Sequence, residues 1–534
     1  MPDLAAARAT ALDWIGSNEA RMSAFCKAIW DCAEPAWREY KSARLYVDLL
    51  RAEGFEVEEG SGGMPTAFVA RWGKPGGPVL SSFAEYDAVP GQSQQVVPYK
   101  APREGLHPWT AGHTDPHSSL GTAALTAILA ARVAMQRHGV PGRLVLFGEP
   151  AEKVCGSKPV HAAKGYYDGL DAAVAYHPHM QNTVTDHTQF GAYWSAVITF
   201  ECLDPESWID KSLLPIRDVG HAAARAPGAI DALMLMYMTT KTTKEAMFPH
   251  TGSWTLNEFI LAGGDATSDN LAPRFAQIQY SWRASNLGIC AQIERVLRSN
   301  AKAAAAATHC VASLRWVTRT RVGLPNGVLT EATWANLQAV GPPRYSQDAV
   351  VFAREIQRTL GLAPMDDPFA PANTGLTPPA EFEAGLRAFL PPWQHHLSAD
   401  DYVEFCWHCP TVRLLTARPR LRAPDASYEY PMWSYNALGG LPAAIDPGMF
   451  VAGRTMALTL LDLALKPGLL DAAKAEWRER TGGGIGGSQW VAPLLPRDFV
   501  APHDLRWPEY VCTARGEEWW IPTPVDGGGT GERI

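Results

Sequence analysis

The stretch SLGTAALTAILAARVAMQRHGVPGRLVLFGEPAEK, Ser119–Lys153, decides the fold. Its first part is small and apolar, keeps helical spacing and stops at Gly139, a residue suited to a helix C-terminus. The run from Gly142 to Gly148 then reads as a short buried strand. That strand enters a loop bearing Glu149, Glu152 and Lys153. A helix that feeds a buried strand with polar residues at its far end is one step of an α/β sheet.

The same texture continues on both sides. Arg21–Phe55 has helical spacing interrupted by Pro35. TAFVARW (66–72) and PVLSSFAEYDAVPG (78–91) read as strands, the second closing on a Pro-Gly turn. GLDAAVAYHPH (169–179) is another strand, ending on histidines. Sites in such sheets form beyond the carboxyl ends of the strands, and Asp87, Glu149, Glu152 and His177 all follow strand-like runs.

From about Tyr193 the pattern changes. WSAVITFECL, GHAAARAPGAIDALMLMYMTTKTT, TLNEFILAGG and FAQIQYSWRAS predict two helices on a small antiparallel sheet, inserted into the α/β domain. The expected division is α/β over 1–195, the insert over 196–315, α/β again over 316–470, and a Pro-, Gly- and Trp-rich extension over 471–534 that wraps the first domain.

Composition narrows the function classes. The chain has 534 residues, too many for one ordinary core. A formal charge of -8 disfavours nucleic acid, which needs a basic face. The N-terminal 22 residues read as an amphipathic helix with charges throughout, unlike a secretion signal. No uninterrupted apolar run approaches the ~20 residues of a membrane span, so no membrane partner is expected. The nine cysteines are scattered and odd in number, which argues against a disulfide framework and makes the cytoplasm the default. Cys406 and Cys409 form a CxxC, a spacing open to zinc or redox chemistry or to simple burial in a strand.

GHTDPHSSLGTAAL (112–125) packs His113, Asp115 and His117 into five residues ahead of the helix. Metal centres that activate water use His and carboxylate ligands with a further carboxylate as general base. A polar turn before a helix is the plain alternative.

These stretches, with GGMPTAFVA, AEYDAVPGQSQ, FGEPAEK, LPNGVLTEATWANLQAVGPP, DPGMFVAGRTMALTLLDL and LLDAAKAEWRER, resemble the aminoacylase and carboxypeptidase type of metal-dependent amidohydrolase, in its aminobenzoyl-glutamate hydrolase branch. They span nearly the whole chain in family order. The resemblance implies a catalytic α/β domain, an inserted lid that makes a homodimer, and two metal ions. It places Asp115 on the bridging ligand, usually Cys in this branch, with His117 and His177 beside it, and Glu152 on the general base. His113 flanks the site without being a ligand. His221 falls on the lid histidine that polarises the scissile carbonyl, and Asn270 on an Asn on the same side. Arg283 is a candidate clamp for a substrate carboxylate.

Two positions depart from the family, and both affect the second ion. A ligand Glu is replaced by Lys153, a charge change of about two units, and a protonated Lys has no lone pair to offer. The late His aligns with Met432, a poor ligand for hard or borderline divalent ions. Glu149 is an added carboxylate where a small residue is usual, a candidate acid-base group or partner of Lys153. The implied centre therefore holds one divalent ion, zinc or manganese, or none. The expected activity is hydrolysis of the amide bond in a small N-acyl amino acid, aryl amide or dipeptide-like substrate. The alternatives are a metal-independent hydrolase or amide-forming enzyme using Lys153 with Glu149 or Glu152, and a non-catalytic partner subunit.

Overall fold

The computed structural model describes residues 2–204, 228–263, 273–504, 509–513, 516–520 and 531–534. It divides into two compact units. The first comprises Met1–Gln189, Gly323–His395 and Asp401–Ala501, and the second Phe190–Val322, His396–Asp400 and Pro502–Ile534.

In chain order, the strands of the two main sheets are β1 (Glu56–Glu59), β2 (Phe68–Lys74), β3 (Val79–Ala84), β4 (Gly142–Gly148), β5 (Ala172–His179), β6 (Thr183–Val184), β7 (Ala192–Glu201), β8 (Trp254–Ala262), β9 (Phe275–Ala284), β10 (Val311–Arg319), β11 (Thr411–Ala417) and β12 (Glu532–Arg533). Five helices matter below: α1 (Leu4–Cys32), α2 (His117–His138), α3 (Ala229–Met247), α4 (Leu287–Ala307) and α5 (Pro442–Leu465).

The first unit is built on a mixed sheet in the order β1-β2-β4-β3-β5-β11-β6. Its centre is parallel: β3 pairs in parallel with β4 and β5, and β5 with β11. β4 and β5 are buried along almost their whole length, as their apolar runs predict. Helix α2 packs on this sheet and against α1 and α5. Its interior is Ala-, Leu- and Thr-rich, and Leu120, Leu125, Ile128 and Leu129 are fully buried. Gly121 is required here, because a Cβ at this position would stand 2.6 Å from the Glu85 carbonyl oxygen and 2.2 Å from the Tyr46 hydroxyl. The close approach brings the start of α2 against the end of β3, and that junction carries the site.

Helices α2 and α5 are long and apolar enough to cross a membrane, contrary to the reading of the sequence, but 89% and 83% of their most apolar windows lie inside the protein. They are core helices of the first unit. The CxxC cysteines are buried as well. The Cys409 thiol packs 3.8 Å from the Thr411 hydroxyl, and burial pushes its pKa far above the usual thiol range.

The second unit is an antiparallel sheet in the order β12-β10-β7-β9-β8, with α3 and α4 packed on it. The described residues beyond 470 fall in both units. Pro467–Thr481 is a helix of the first unit, and the Trp477 and Trp490 indoles donate to the carbonyls of Cys406 and Trp407. β12, near the C-terminus, pairs with β10 of the second unit.

Candidate active site

Three strand ends and one helix start converge in the first unit. Glu85 and Asp87 follow β3, Glu152 and Lys153 follow β4, His177 lies in β5, and His117 opens α2 just after Asp115. Glu152–Val154 is a single tight turn between Ala151 (φ 58°) and Cys155 (φ 48°), both in the left-handed region. Non-glycine residues seldom adopt that region unless surrounding contacts hold them there, and such strain gathers at functional sites. Here two buried carboxylates hold the turn by its main chain: Ala151 N–H donates to Glu39 at 2.7 Å and Lys153 N–H to Asp87 at 2.8 Å. Burial and the nearby Asp87 push the Glu39 pKa up to about 8.

The Lys153 side chain stands at the middle of the cluster. Its Nζ lies 2.7 Å from Asp115 Oδ2, 2.9 Å from Glu152 Oε2 and 3.0 Å from His117 Nε2. Burial opposes the charge on Lys153, but Asp115 and Glu152 hold its pKa well above the usual ammonium range. Burial likewise opposes ionisation of Asp115 and Glu152, and Lys153 holds both well below the usual carboxylate range. His117 Nδ1 is 2.7 Å from Asp87 Oδ1, which fixes the ring. Burial and Lys153 lower the His117 pKa, but Glu85 and Asp87 outweigh them and lift it to about 9.

The candidate ligands converge. Asp115 Oδ2 is 3.6 Å from His117 Nε2 and 3.9 Å from His177 Nε2, and the two rings are edge-on at 5.7 Å. Glu85, His117 and His177 also present ligand atoms within 4.8 Å of one another, as do Asp87, His117 and Glu152. The charge balance supports a cation. Glu85, Asp87, Asp115, Glu152 and Asp401 are five carboxylates, and Lys153 and Lys158 are the two ammonium groups paired with them. Three negative charges remain with every histidine neutral and two with His117 protonated, as its raised pKa favours, an excess that a low-dielectric site stabilises poorly without a further cation. These donor groups could hold a metal ion.

Asp115, His117, His177, Glu152 and Lys153 come together as the sequence suggests. Glu149 does not join them. It is fully buried, and its Oε1 accepts from Tyr167 Oη at 2.6 Å and lies 2.8 Å from His161 Nδ1, so the expected pairing with Lys153 is not formed. The reason is local: the backbone reverses at Ala151, after Glu149 and before Lys153. His113 is neutral, because burial drives its pKa to about 3, and its Nε2 bonds the Ile29 carbonyl oxygen at 3.2 Å. Met432 is 50% exposed at the start of the helix Met432–Gly439. Arg283 lies in β9 of the second unit, with its guanidinium over the Tyr193 ring at 5.0 Å. His221 and Asn270 lie outside the described residues.

Glu39, Glu85, Lys158 and Asp401 went unread in the sequence. Glu85 Oε2 is 3.3 Å from His117 Nε2, and Glu85 Oε1 is held at 2.7 Å by Lys158. Lys158 is fully buried and also holds Asp401 at 2.7 Å. Spacing could have flagged Glu85, two residues before Asp87 at the same strand end. Lys158 gives no such signal, since SKPVHAAK reads as the outer face of a short helix.

No family model matches the chain. It is 26% identical over 488 residues to a subunit of the p-aminobenzoyl-glutamate hydrolase of Escherichia coli, covering 88% of this chain and 94% of that protein. It is 25% identical over 351 residues to the Xaa-Arg dipeptidase of Mus musculus, covering 62% of this chain and 71% of the relative. Among solved structures, the aminobenzoyl-glutamate utilization protein of Klebsiella pneumoniae shares the fold, with a TM-score of 0.53 at 14% identity over 84% of this chain and 98% of that one. In sequence the chain is thus similar over most of its length to proteins named as hydrolases of amide bonds, and it shares the fold of the Klebsiella protein.

Proposed function

We propose that this protein hydrolyses the amide bond of a small N-acyl amino acid or dipeptide-like substrate at a centre where one divalent ion and one ammonium group stand in place of two ions. The observation that carries this reading is the position of Lys153 Nζ, within 3.0 Å of Asp115, Glu152 and His117 together. The relatives named for aminobenzoyl-glutamate hydrolysis and dipeptide cleavage support the substrate class. Asp115, His117 and His177 would hold the ion, zinc or manganese. Such an ion, when bound, supplies Lewis acidity toward a carbonyl or a bound water.

The chain's own residues account for the remaining steps. Glu152 Oε2 takes the proton of the attacking water and carries it toward the leaving amine. Lys153 keeps Glu152 ionised and offers a fixed positive charge to the developing oxyanion. Asp87 orients His117 through Nδ1, leaving Nε2 toward the cluster. Elemental analysis of purified protein should give about one tightly held divalent ion per chain, and two would overturn this assignment. His177→Ala should empty the site, because three protein ligands are near the minimum for a catalytic zinc centre. Turnover that survives full chelation would instead favour the metal-independent reading, in which the ammonium alone supplies the charge.

The second unit is proposed as the dimerising lid. Two features support this. Among the described residues β8 pairs on one side only, with Phe259 and Ile260 about half exposed, and α3 exposes Met234, Leu235 and Met238. An open strand edge beside exposed apolar residues suits isologous pairing with a second copy. In this reading His221 supplies an oxyanion donor. His221→Ala should then leave metal content unchanged and lower kcat by roughly 100-fold, the usual loss for one such donor. Mixing His221→Ala with Glu152→Gln tests action across the interface: partial recovery in hybrid dimers is expected, and none after verified subunit exchange would confine His221 to its own chain.

A further inference from the structure

Within the second unit, β7 and β10 are antiparallel, and their register pairs Glu201 with Val311 and Phe200 with Ala312. The next step in that register sets Cys202 opposite Cys310. Backbone hydrogen bonding shows which kind of pair this is. Cys202 N–H donates to the Arg274 carbonyl on the β9 side at 2.8 Å, and Cys310 N–H donates to the Ala305 carbonyl at 3.0 Å. Neither amide is spent on the other strand, so the two cysteines form a non-hydrogen-bonded pair, the kind in which facing side chains approach most closely. Cα atoms in such pairs are about 4.5 Å apart, inside the roughly 4.4–6.8 Å window that a disulfide requires. The Cys310 thiol donates to the Thr308 carbonyl oxygen at 3.5 Å, and burial with the neighbouring Cys202 raises its pKa. Cys202 is 2% exposed, whereas Cys310 is half-buried and open to a small oxidant.

We infer that Cys202 and Cys310 are a redox-active dithiol, which a peroxide converts to a disulfide within the second unit. The reaction balances as follows. The Cys310 sulfur attacks one peroxide oxygen, the O–O bond breaks, and a sulfenic acid and one water result. The Cys202 sulfur then displaces the sulfenic oxygen, the S–S bond forms, and a second water leaves. The two thiols together lose two electrons and two protons. Their separation in sequence hides the pair: roughly 100 residues lie between the two cysteines, which are brought together only by the β7–β10 register.

The experiment uses the full chain, reduced and then treated with hydrogen peroxide. Remaining thiols are alkylated and the digest is mapped without reductant. A peptide linking Cys202 to Cys310, released by dithiothreitol and missing from Cys202→Ser and Cys310→Ser, is expected. Closing so long a loop should also raise the unfolding midpoint by roughly 5–10 °C, and dithiothreitol should reverse the rise. Separate oxidation or alkylation of the two cysteines with no linked peptide overturns the inference. So does a linked peptide without a rise in midpoint, because the bond would then have formed in unfolded chain or against strain. Both overturning results can be read on wild-type protein if a variant fails to fold.

Discussion

Lys153→Glu should lower turnover by at least about 100-fold without added metal, although it supplies the carboxylate that the family resemblance implies at this position. The change removes the donor that Asp115, Glu152 and His117 share and puts a fifth carboxylate around His117, beside Glu85, Asp87, Asp115 and Glu152. Like charges at that spacing raise one another's pKa values, so the main hold that keeps Glu152 well below the usual carboxylate range is lost. The positive charge facing the oxyanion goes too, a loss that alone is worth about 100-fold. Steady-state kinetics on a dipeptide or N-acyl amino acid, with metal content measured in parallel, decides the matter. Equal or higher turnover at unchanged metal content would make Lys153 a passive replacement. Recovery only on adding a divalent ion would mean that the ammonium had taken the place of that ion.

The second large effect is on stability. Lys158→Met should destabilise the first unit by about 3–5 kcal/mol, the usual result of stripping a buried ion pair of one partner. Lys158 Nζ lies between Glu85 and Asp401, both essentially inaccessible to water, and above the Phe83 ring at 4.7 Å. Methionine fills a similar volume, so lost packing contributes little and the two stranded carboxylates account for the cost. Denaturant unfolding measures it. The double variant Lys158→Met with Asp401→Asn should regain part of the loss, whereas a single variant within 1 kcal/mol of wild type would mean that water reaches this triad.

The sheet of the first unit was legible because β4 and β5 are apolar along their length and end in polar residues, so local pattern and tertiary role coincide. The antiparallel insert was legible from alternation instead, which the exposure of β8 follows over most of its length. The grouping of Asp115, His117 and His177 came from the family resemblance, since the residues alone offered only polar positions before a helix and at a strand end. Glu149 misled because adjacency in FGEPAEK suggests adjacency in space, whereas the left-handed residue Ala151 separates its carboxylate from Lys153. Lys158 could not be read, since a buried ammonium looks like any helix lysine until its partners, one of them more than 200 residues away, are in place. The membrane-length helices show the converse: composition alone suits two environments, and only packing against α1 and the sheet decides between them.

The turn at Glu152–Val154 has an evolutionary consequence. Its conformation is fixed through main-chain hydrogen bonds to Glu39 and Asp87, not by the side chains it displays. Lysine and glutamate codons differ by a single base. A lineage could therefore put an ammonium where a carboxylate stood in one mutational step, with no backbone to rebuild, whereas a full return to two ions would also need a histidine at the position of Met432. Chains of this fold that differ at this position need not be distant branches, and sequence distance alone would be a poor guide to how many ions such a protein carries.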